Sequence, residues 1–184
     1  MIFLSPHNDD ETLFGAYTLL RYRPHVVVCY SGHVQKQYGI SAETRENETR
    51  LALQDGRLGC SYSQGSWPDT EPFHVADGIL AQLRGYTSKE STWVPDRVFA
   101  PAVEDGGHAQ HNLIGELADI VFGDKVTHYL TYVRGQTRTR SDNEVPFEPD
   151  WPARKFQAMA CYTSQINLGN TRPWFSDWDR EWYQ

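Results

Sequence analysis

The chain has 184 residues, of which 39% are hydrophobic and 22% are charged, and its formal net charge at pH 7 is −7. This length and composition fit one globular domain and exclude a disordered chain, while the acidic charge argues against nucleic acid or an anionic membrane as a partner. No apolar run approaches the ~20 residues of a membrane helix, and residues 1–10 lack the basic residues and the long apolar run of a signal peptide.

Strands and helices are predicted to alternate along the chain. In order, the patterns indicate a strand at 2–4, a helix at 11–22, a strand at 25–30, helices at 41–58 and 75–84, a strand at 98–101, a helix at 111–122, a strand at 126–133 and a helix at 152–161. Such alternation predicts an α/β fold in which helices cover a mostly parallel sheet. We expect one domain over 1–184, with an aromatic-rich C-terminal tail at about 171–184.

Two segments rich in acids and histidines follow predicted strands and precede predicted helices. The first is Pro6-His7-Asn8-Asp9-Asp10-Glu11, and the second is Gly106-Gly107-His108-Ala109-Gln110-His111. In parallel sheets, ligands bind beyond the carboxyl ends of the strands. We therefore expect both segments to line one crevice and to bring two aspartates and three histidines together.

These side chains suit a catalytic zinc ion, which takes three nitrogen, oxygen or sulfur ligands from the protein and leaves one position open. His7 and Asp10 are three residues apart, and either His108 or His111 could complete the set. Asp9 and the remaining histidine are then available as a base for water and as a cation beside an oxyanion. An aspartate before a helix is often only a cap, but two such segments at one edge of the sheet favour a site.

At these residues the chain resembles the LmbE/PIG-L-like zinc-dependent N-deacetylases. The hallmarks of that family are His-Pro-Asp-Asp-Glu near the N-terminus and His-x-Asp-His in mid-chain, which stand here at 7–11 and 108–111. The stretch 44–59 is similar to the family's Arg-x-x-Glu helix that ends in Leu-Gly, and 155–165 is similar to its late helix that ends in Ser-Gln. The similarity extends from residue 2 to about residue 166.

The resemblance implies a Rossmann-like, three-layer α/β/α fold and hydrolysis of an N-acyl amide, commonly the acetamide of an N-acetylglucosamine-type sugar. By this match, the zinc ligands are His7, Asp10 and His111. Asp9 matches the general base, and His108 matches the residue that steadies the oxyanion as a cation. Another divalent transition metal would also suit such ligands. The alternative is a non-catalytic or substrate-divergent metal-binding member of the same fold.

Three residues depart from the family pattern. Asn8 replaces the proline, a change expected to affect loop rigidity, and Tyr162 stands where the family commonly has histidine. Gln110 replaces the acid that is expected to partner the histidine at the position of His108, and a neutral amide cannot favour the charged imidazole. Either Glu104 or Asp105 substitutes for that acid, or His108 is less often protonated at neutral pH. We therefore expect the acid-side optimum to be shifted relative to that of the relatives, and Gln110→Asp to raise activity toward neutral pH.

Three further residues are candidates for contact with the substrate or the metal. The resemblance implies that Arg45 contacts the substrate or the rim of the site, although an ion pair with Glu48 on one helical face is the alternative. Ser31 follows the second strand and opens onto the same edge, where a plain turn is the alternative. His33 is a less favoured extra ligand.

The remaining features concern location and assembly. An odd number of cysteines without a CxxC pair is typical of reduced thiols and a cytoplasmic protein; they are Cys29, Cys60 and Cys161. Three tryptophans at a spacing of four predict one stripe of a helix that packs on the core or on another subunit, with a sugar-stacking platform as the alternative; they are Trp174, Trp178 and Trp182. The expected partner is a small-molecule or glycoconjugate amino sugar, and a homo-oligomer is left open.

Overall fold

The computed structural model describes residues 1–31, 38–68, 72–88, 90–91, 93–133, 143–168 and 180–184. The strands in these ranges are β1 (Ile2–Ser5), β2 (His25–Tyr30), β3 (Tyr62–Trp67), β4 (Val98–Pro101), β5 (Val126–Tyr129), β6 (Asn143–Glu144) and β7 (Trp182–Tyr183). They form one sheet in the order β3-β2-β1-β4-β5-β7-β6. The first five of these are joined by parallel pairings, whereas β7 runs antiparallel to both β5 and β6.

Helices cover both faces of this sheet. They are α1 (Asp10–Tyr22), α2 (Ala42–Ala52), α3 (Ala76–Gly85), α4 (Ala109–Phe122), α5 (Trp151–Met159) and α6 (Thr163–Ile166). Apolar residues of α1, α2 and α5 pack with Phe3 and Val26 on one face, and those of α3 and α4 pack with Leu4 and Val27 on the other. Successive strand side chains point to opposite faces, so the two cores are separate. The predicted three-layer α/β/α fold is confirmed.

The helix that follows β1 lies very close to the sheet. A Cβ built on Gly15 of α1 would lie 2.2 Å from Cζ of the Phe3 ring, so a larger residue there would collide with the core. The loop between β1 and α1 has four residues, 6–9, and all of them are buried except the partly exposed His7. That loop carries the first acidic and histidine-rich segment.

The predicted helix at 41–58 is wrong at its end, because α2 stops at Ala52. Gly56 has a φ of 89°, a left-handed conformation that a helix cannot contain and that glycine tolerates. The turns after α2 bring Leu58 into the core, where it is completely buried. The predicted N-terminus is right: the Ser41 hydroxyl accepts a hydrogen bond from the Thr44 amide as a cap.

The edges of the sheet also differ from the prediction. No strand was predicted at β3, because its sequence, Tyr-Ser-Gln-Gly-Ser-Trp, lacks an apolar pattern. The strand predicted at 126–133 ends at Tyr129, where its last partner on β4 is Pro101. Trp182 lies in β7, so the helical stripe predicted for the tail is wrong at this residue, and Trp174 and Trp178 lie outside the described residues.

A buried ion pair attaches the end of the chain to α1. Lys155 Nζ lies 2.6 Å from Glu181 Oε1, and both side chains are completely shielded from solvent. The Glu181 carboxylate accepts a hydrogen bond from the Tyr17 amide, and Lys155 donates to the carbonyl of Leu13, four residues earlier in α1. The pair therefore contacts both ends of one helical turn.

Candidate active site at the carboxyl ends of the parallel strands

The two acidic and histidine-rich segments lie side by side. β1 and β4 are neighbouring parallel strands, and each is followed by a loop that leads into a helix, α1 or α4. The carboxyl ends of the strands therefore bring His7 and Asp10 close to His108 and His111, which are about a hundred positions later in the chain. The ring centroids of His7 and His111 are 5.4 Å apart.

Asp10 lies between two histidines. Its Oδ2 is 3.0 Å from Nδ1 of His7 and 3.1 Å from Nε2 of His111. One ligand atom from each of these three residues lies within 4.8 Å of the others, close enough for all three to bind one cation. Asp10 and His111 are buried, and His7 is partly exposed, so the cluster is accessible from one side.

The chemistry of these donors fits zinc. Two imidazole nitrogens and one carboxylate oxygen are a common three-residue set for a catalytic zinc. Neither ring nitrogen of the buried His111 has a hydrogen-bond partner of acceptable geometry within the described part of the chain. A buried polar atom left without a partner is costly, and a metal ion bound at that ring would satisfy it.

The three groups also influence each other's charge. Burial raises the pKa of Asp10, but the nearby imidazoles of His111 and His7 outweigh burial and hold that pKa well below its ordinary value. Burial alone would lower the pKa of His7, but the hydrogen bond and the charge of Asp10 have a larger effect, and the pKa of His7 is raised above its ordinary value. Asp10 is therefore a carboxylate, the form that binds a cation.

Asp9 precedes α1 but does not cap it. Its side chain makes no capping hydrogen bond, and its Oδ2 lies 3.3 Å from Nη2 of Arg45. Its φ of 130° lies in a region that residues other than glycine rarely adopt, and such strain is concentrated at functional sites. Burial raises the pKa of Asp9 to about 7, with Arg45 opposing the rise and Asp10 adding to it.

His108 stands at the start of α4, nearer to solvent than His111. Its Nδ1 accepts a hydrogen bond of 3.3 Å from the Gln110 amide, and its ring centroid lies 5.3 Å from that of His7 and 4.8 Å from that of His111. An imidazole in this place can face a substrate group bound beside the cluster. The side-chain Oε1 of Gln110 lies 2.7 Å from Nε2 of His7.

Arg45 and Ser31, the two residues predicted to contact the substrate, are buried. Arg45 is 2% exposed, and its Nη2 donates to the carbonyl of Asn8 in addition to its contact with Asp9. Ser31 donates its hydroxyl to the carbonyl of Trp67. Glu48 does not pair with Arg45 in the hydrogen bonds described; it accepts bonds from the hydroxyl and amide of Ser164. His33 lies outside the described residues.

Sequence reasoning missed the residues that hold the first loop. Glu11 is buried and accepts hydrogen bonds from Ser5, from the Asp9 amide and from the Tyr162 hydroxyl, while burial raises the pKa of its carboxyl. Asn8, which replaces the family's proline, donates from Nδ2 to Thr49 and to Gln64 at 2.9 and 2.7 Å. Asn8 therefore connects this loop to α2 and β3, a larger role than loop rigidity. The signal for Glu11 was its place directly after two aspartates.

The fold and the cluster define an α/β protein with a candidate metal site beyond the carboxyl ends of its parallel strands. Residues 2–122, more than half of the chain, match the family described as PIG-L: GlcNAc-PI de-N-acetylase. The chain belongs to this family. No curated protein matches the sequence significantly.

Solved structures share the fold at low sequence identity. The A40926 pseudoaglycone deacetylase Dbv21 is 18% identical with a TM-score of 0.72, over 99% of this chain and 94% of its own. The N,N'-diacetylchitobiose deacetylase from Pyrococcus horikoshii is 16% identical with a TM-score of 0.68, over 100% of this chain and 82% of its own. GalB, the 4-carboxy-2-hydroxymuconate hydratase from Pseudomonas putida KT2440, is 15% identical with a TM-score of 0.63, over 96% and 82%.

These neighbours establish the fold alone, because one of the three is a hydratase and the identities are low. The reaction must be argued from the side chains of this chain. Every helix in the described part of the chain is too short or too polar to span a lipid bilayer.

Proposed function

We propose that this protein is a zinc-dependent N-deacetylase that removes the acetyl group from an N-acetylated amino sugar, free or within a larger conjugate. The observation that carries the proposal is the convergence of His7, Asp10 and His111, whose ligand atoms lie within 4.8 Å of one another, with Asp9 directly before Asp10 in the chain. Membership of the PIG-L family supports the amide of an amino sugar as the bond that is hydrolysed.

The proposed roles follow from the chemistry of the side chains. A zinc ion held by His7, Asp10 and His111 would polarise the acyl carbonyl and lower the pKa of water. Asp9 accepts the proton of the attacking water as the oxygen–carbon bond forms. His108, on the solvent side of the cluster, stabilises the negative charge that develops on the carbonyl oxygen.

The second half of the reaction needs a proton on the leaving nitrogen. When the carbon–nitrogen bond breaks, Asp9 or His108 returns a proton to the amine, and acetate and the free amino sugar leave. Arg45, buried behind Asp9, orients this carboxylate rather than contacting the sugar. Another divalent transition metal would suit the same ligands.

The function is tested with zinc-loaded protein and a panel of N-acetyl sugars, in which the release of free amine is measured together with acetate. We expect equal amounts of amine and acetate from at least one N-acetyl sugar, and no release by the metal-stripped protein. The alternative, a non-catalytic member of the fold, predicts zinc binding without release. An ester panel run in parallel identifies a hydrolase with another substrate.

The location is also proposed. Cys29, Cys60 and Cys161 are free thiols. Free thiols persist in reducing compartments, and we infer a cytoplasmic enzyme on this basis.

A further inference from the structure

We propose that Gln110 is a positioning residue for the metal: it fixes the tautomer and orientation of His7 so that Nδ1 faces the cation. This inference rests on the proposed metal site. It concerns a residue at which the chain departs from its family, because the corresponding acid is expected to partner the histidine at the position of His108. Here the side chain of Gln110 reaches His7 instead.

The contact is short and is made at the correct edge of the ring. Nε2 of His7 lies 2.7 Å from Oε1 of Gln110, while Nδ1 lies 3.0 Å from Oδ2 of Asp10. The two ring nitrogens of His7 therefore have separate partners: one faces the metal cluster and the other faces α4. Because Gln110 is 7% exposed, water competes little for this hydrogen bond.

The amide oxygen decides which nitrogen carries the proton. A neutral imidazole has one N–H and one lone pair, and a carbonyl oxygen can only accept. When a cation takes the place of the proton between Nδ1 and Asp10, Oε1 facing Nε2 keeps the one remaining proton of the ring on Nε2 and leaves the lone pair of Nδ1 for the cation. A metal-bound histidine usually donates its other N–H in this way, to an acceptor that orients the ring.

The place of Gln110 in the fold makes the bond a link between the two segments of the site. Gln110 is in the first turn of α4, next to His111, and its backbone N–H donates to Nδ1 of His108. One helical turn thus supplies a metal ligand and also the acceptor for the ligand on the other loop. The distance between the two loops is then set by a hydrogen bond before any ion binds.

Neutrality is the second property of this acceptor. Gln110 orients His7 without adding a negative charge, whereas a glutamate at the same place would accept the same bond and make the ring a stronger ligand. A leucine of similar size would accept nothing and would leave Nε2 without this partner. These two variants separate loss of the hydrogen bond from a change in side-chain volume.

The test measures zinc affinity by competition with a chromophoric chelator, without any substrate. Loss of an acceptor of this kind typically weakens metal binding ~10–100-fold, and we expect a loss in this range for Gln110→Leu. Gln110→Glu should bind zinc as tightly as the unaltered protein or more tightly. Gln157→Leu, an exposed glutamine on α5, is the matched control and should leave the affinity unchanged.

A second measurement examines His7 directly in the unaltered, zinc-loaded protein. Nitrogen NMR of the labelled imidazole should show a proton on Nε2 and none on Nδ1, and this result does not depend on whether a variant folds. A proton on Nδ1, or equal zinc affinity of Gln110→Leu and the unaltered protein, would overturn the inference. If the unaltered protein bound no zinc, the proposed function would fail together with this inference. If it bound zinc and Gln110→Leu bound zinc equally well, this inference alone would fail, so the two failures are distinguishable.

Discussion

Arg45 Nη2 lies 3.3 Å from Asp9 Oδ2, so the proposed general base has a buried guanidinium as its counter-ion. The same Nη2 donates to the carbonyl of Asn8, the residue before Asp9. The Arg45 side chain thus contacts both the carboxylate of the strained Asp9 and the backbone directly before it. This arrangement keeps Asp9 in place without a helix-capping bond.

Replacing Arg45 should disrupt the base while leaving the metal in place. We expect Arg45→Met to lower kcat by ~10-fold or more, because a misplaced catalytic group is costly even at about 1 Å. Zinc affinity should change little, since Arg45 is not among the proposed ligands. Arg45→Lys keeps the charge but not the planar group, so its kcat should lie between those of the unaltered protein and Arg45→Met. Full activity of Arg45→Met would contradict the positioning role.

Asp9→Asn tests the general base itself. The amide has nearly the same shape as the carboxylate but cannot accept a proton, and the loss of a general base typically costs ~10²–10⁴-fold in rate. Zinc binding should persist, because the expected ligands are untouched. Measuring kcat and zinc content on the same preparation checks both statements. A variant that turns over at the normal rate would remove Asp9 from the mechanism.

Metal binding should appear as thermal stability. An ion that binds only the folded state adds about 4 kcal/mol at a free concentration 1,000 times its Kd. We therefore expect zinc to raise the Tm of the unaltered protein and to leave the Tm of His111→Ala almost unchanged. His25→Asn is the control, since His25 bonds to Ser61 and Ser63 at the amino end of β2 and should keep the full zinc effect. An equal rise in His111→Ala would exclude His111 as a ligand.

Tyr162→Phe should destabilise the loop that carries the site. The Tyr162 hydroxyl donates to the buried Glu11 carboxyl, which also accepts from Ser5 and from the Asp9 amide. Hydrogen bonds to charged groups contribute about 1.5–3 kcal/mol, and we expect the free energy of unfolding in urea to fall by that amount. Tyr38→Phe, at a position 57% exposed, should change it little. If both variants lost the same stability, the Glu11 bond would not be the cause.

The three thiols should react with iodoacetamide in a fixed order as pH rises. Burial raises the pKa of Cys29 to about 12, with Asp10 adding to the rise, and burial raises the pKa of Cys60 to about 11. Only the thiolate reacts, so a raised pKa lowers the reactive fraction at any given pH below it. Cys161, the least buried of the three, should react first, and Cys29 should react only after unfolding. Mass spectrometry of partly labelled native protein measures this order, and early labelling of Cys29 would contradict it.

The location of the candidate site could be predicted from the sequence because it depends on topology. The segments that contain His7 and His111 each follow a strand, and the carboxyl ends of parallel strands meet at one edge. The apolar patterns of β1, β2 and β4 were strong enough to locate those ends. Membership of the family was predicted from the same two segments and is confirmed.

Contacts made across the fold could not be predicted. The sequence cannot tell which ring an amide such as Gln110 reaches, because that depends on how α4 packs beside the first loop. The strand β3 could not be predicted for a similar reason. A Cβ on Gly65 would lie 2.2 Å from the carbonyl oxygen of Cys29, so the close approach of β3 to β2 requires glycine at a position where an apolar residue would have indicated a strand. Lysine is rarely buried, and Lys155 can be buried here because it pairs with Glu181 and donates to the carbonyl of Leu13.

The Lys155–Glu181 pair makes the last few residues part of the framework behind the site. Truncation of the chain just before position 181 would leave the ammonium group of Lys155 buried beneath α1 without its counter-ion. The expected loss in free energy of unfolding is about 3–5 kcal/mol. The loss of stability would affect α1, the helix whose first residue is Asp10. Such a shortened polypeptide would be degraded by cellular proteases rather than persist as a slow enzyme, so truncation at this end should lower the amount of the protein itself.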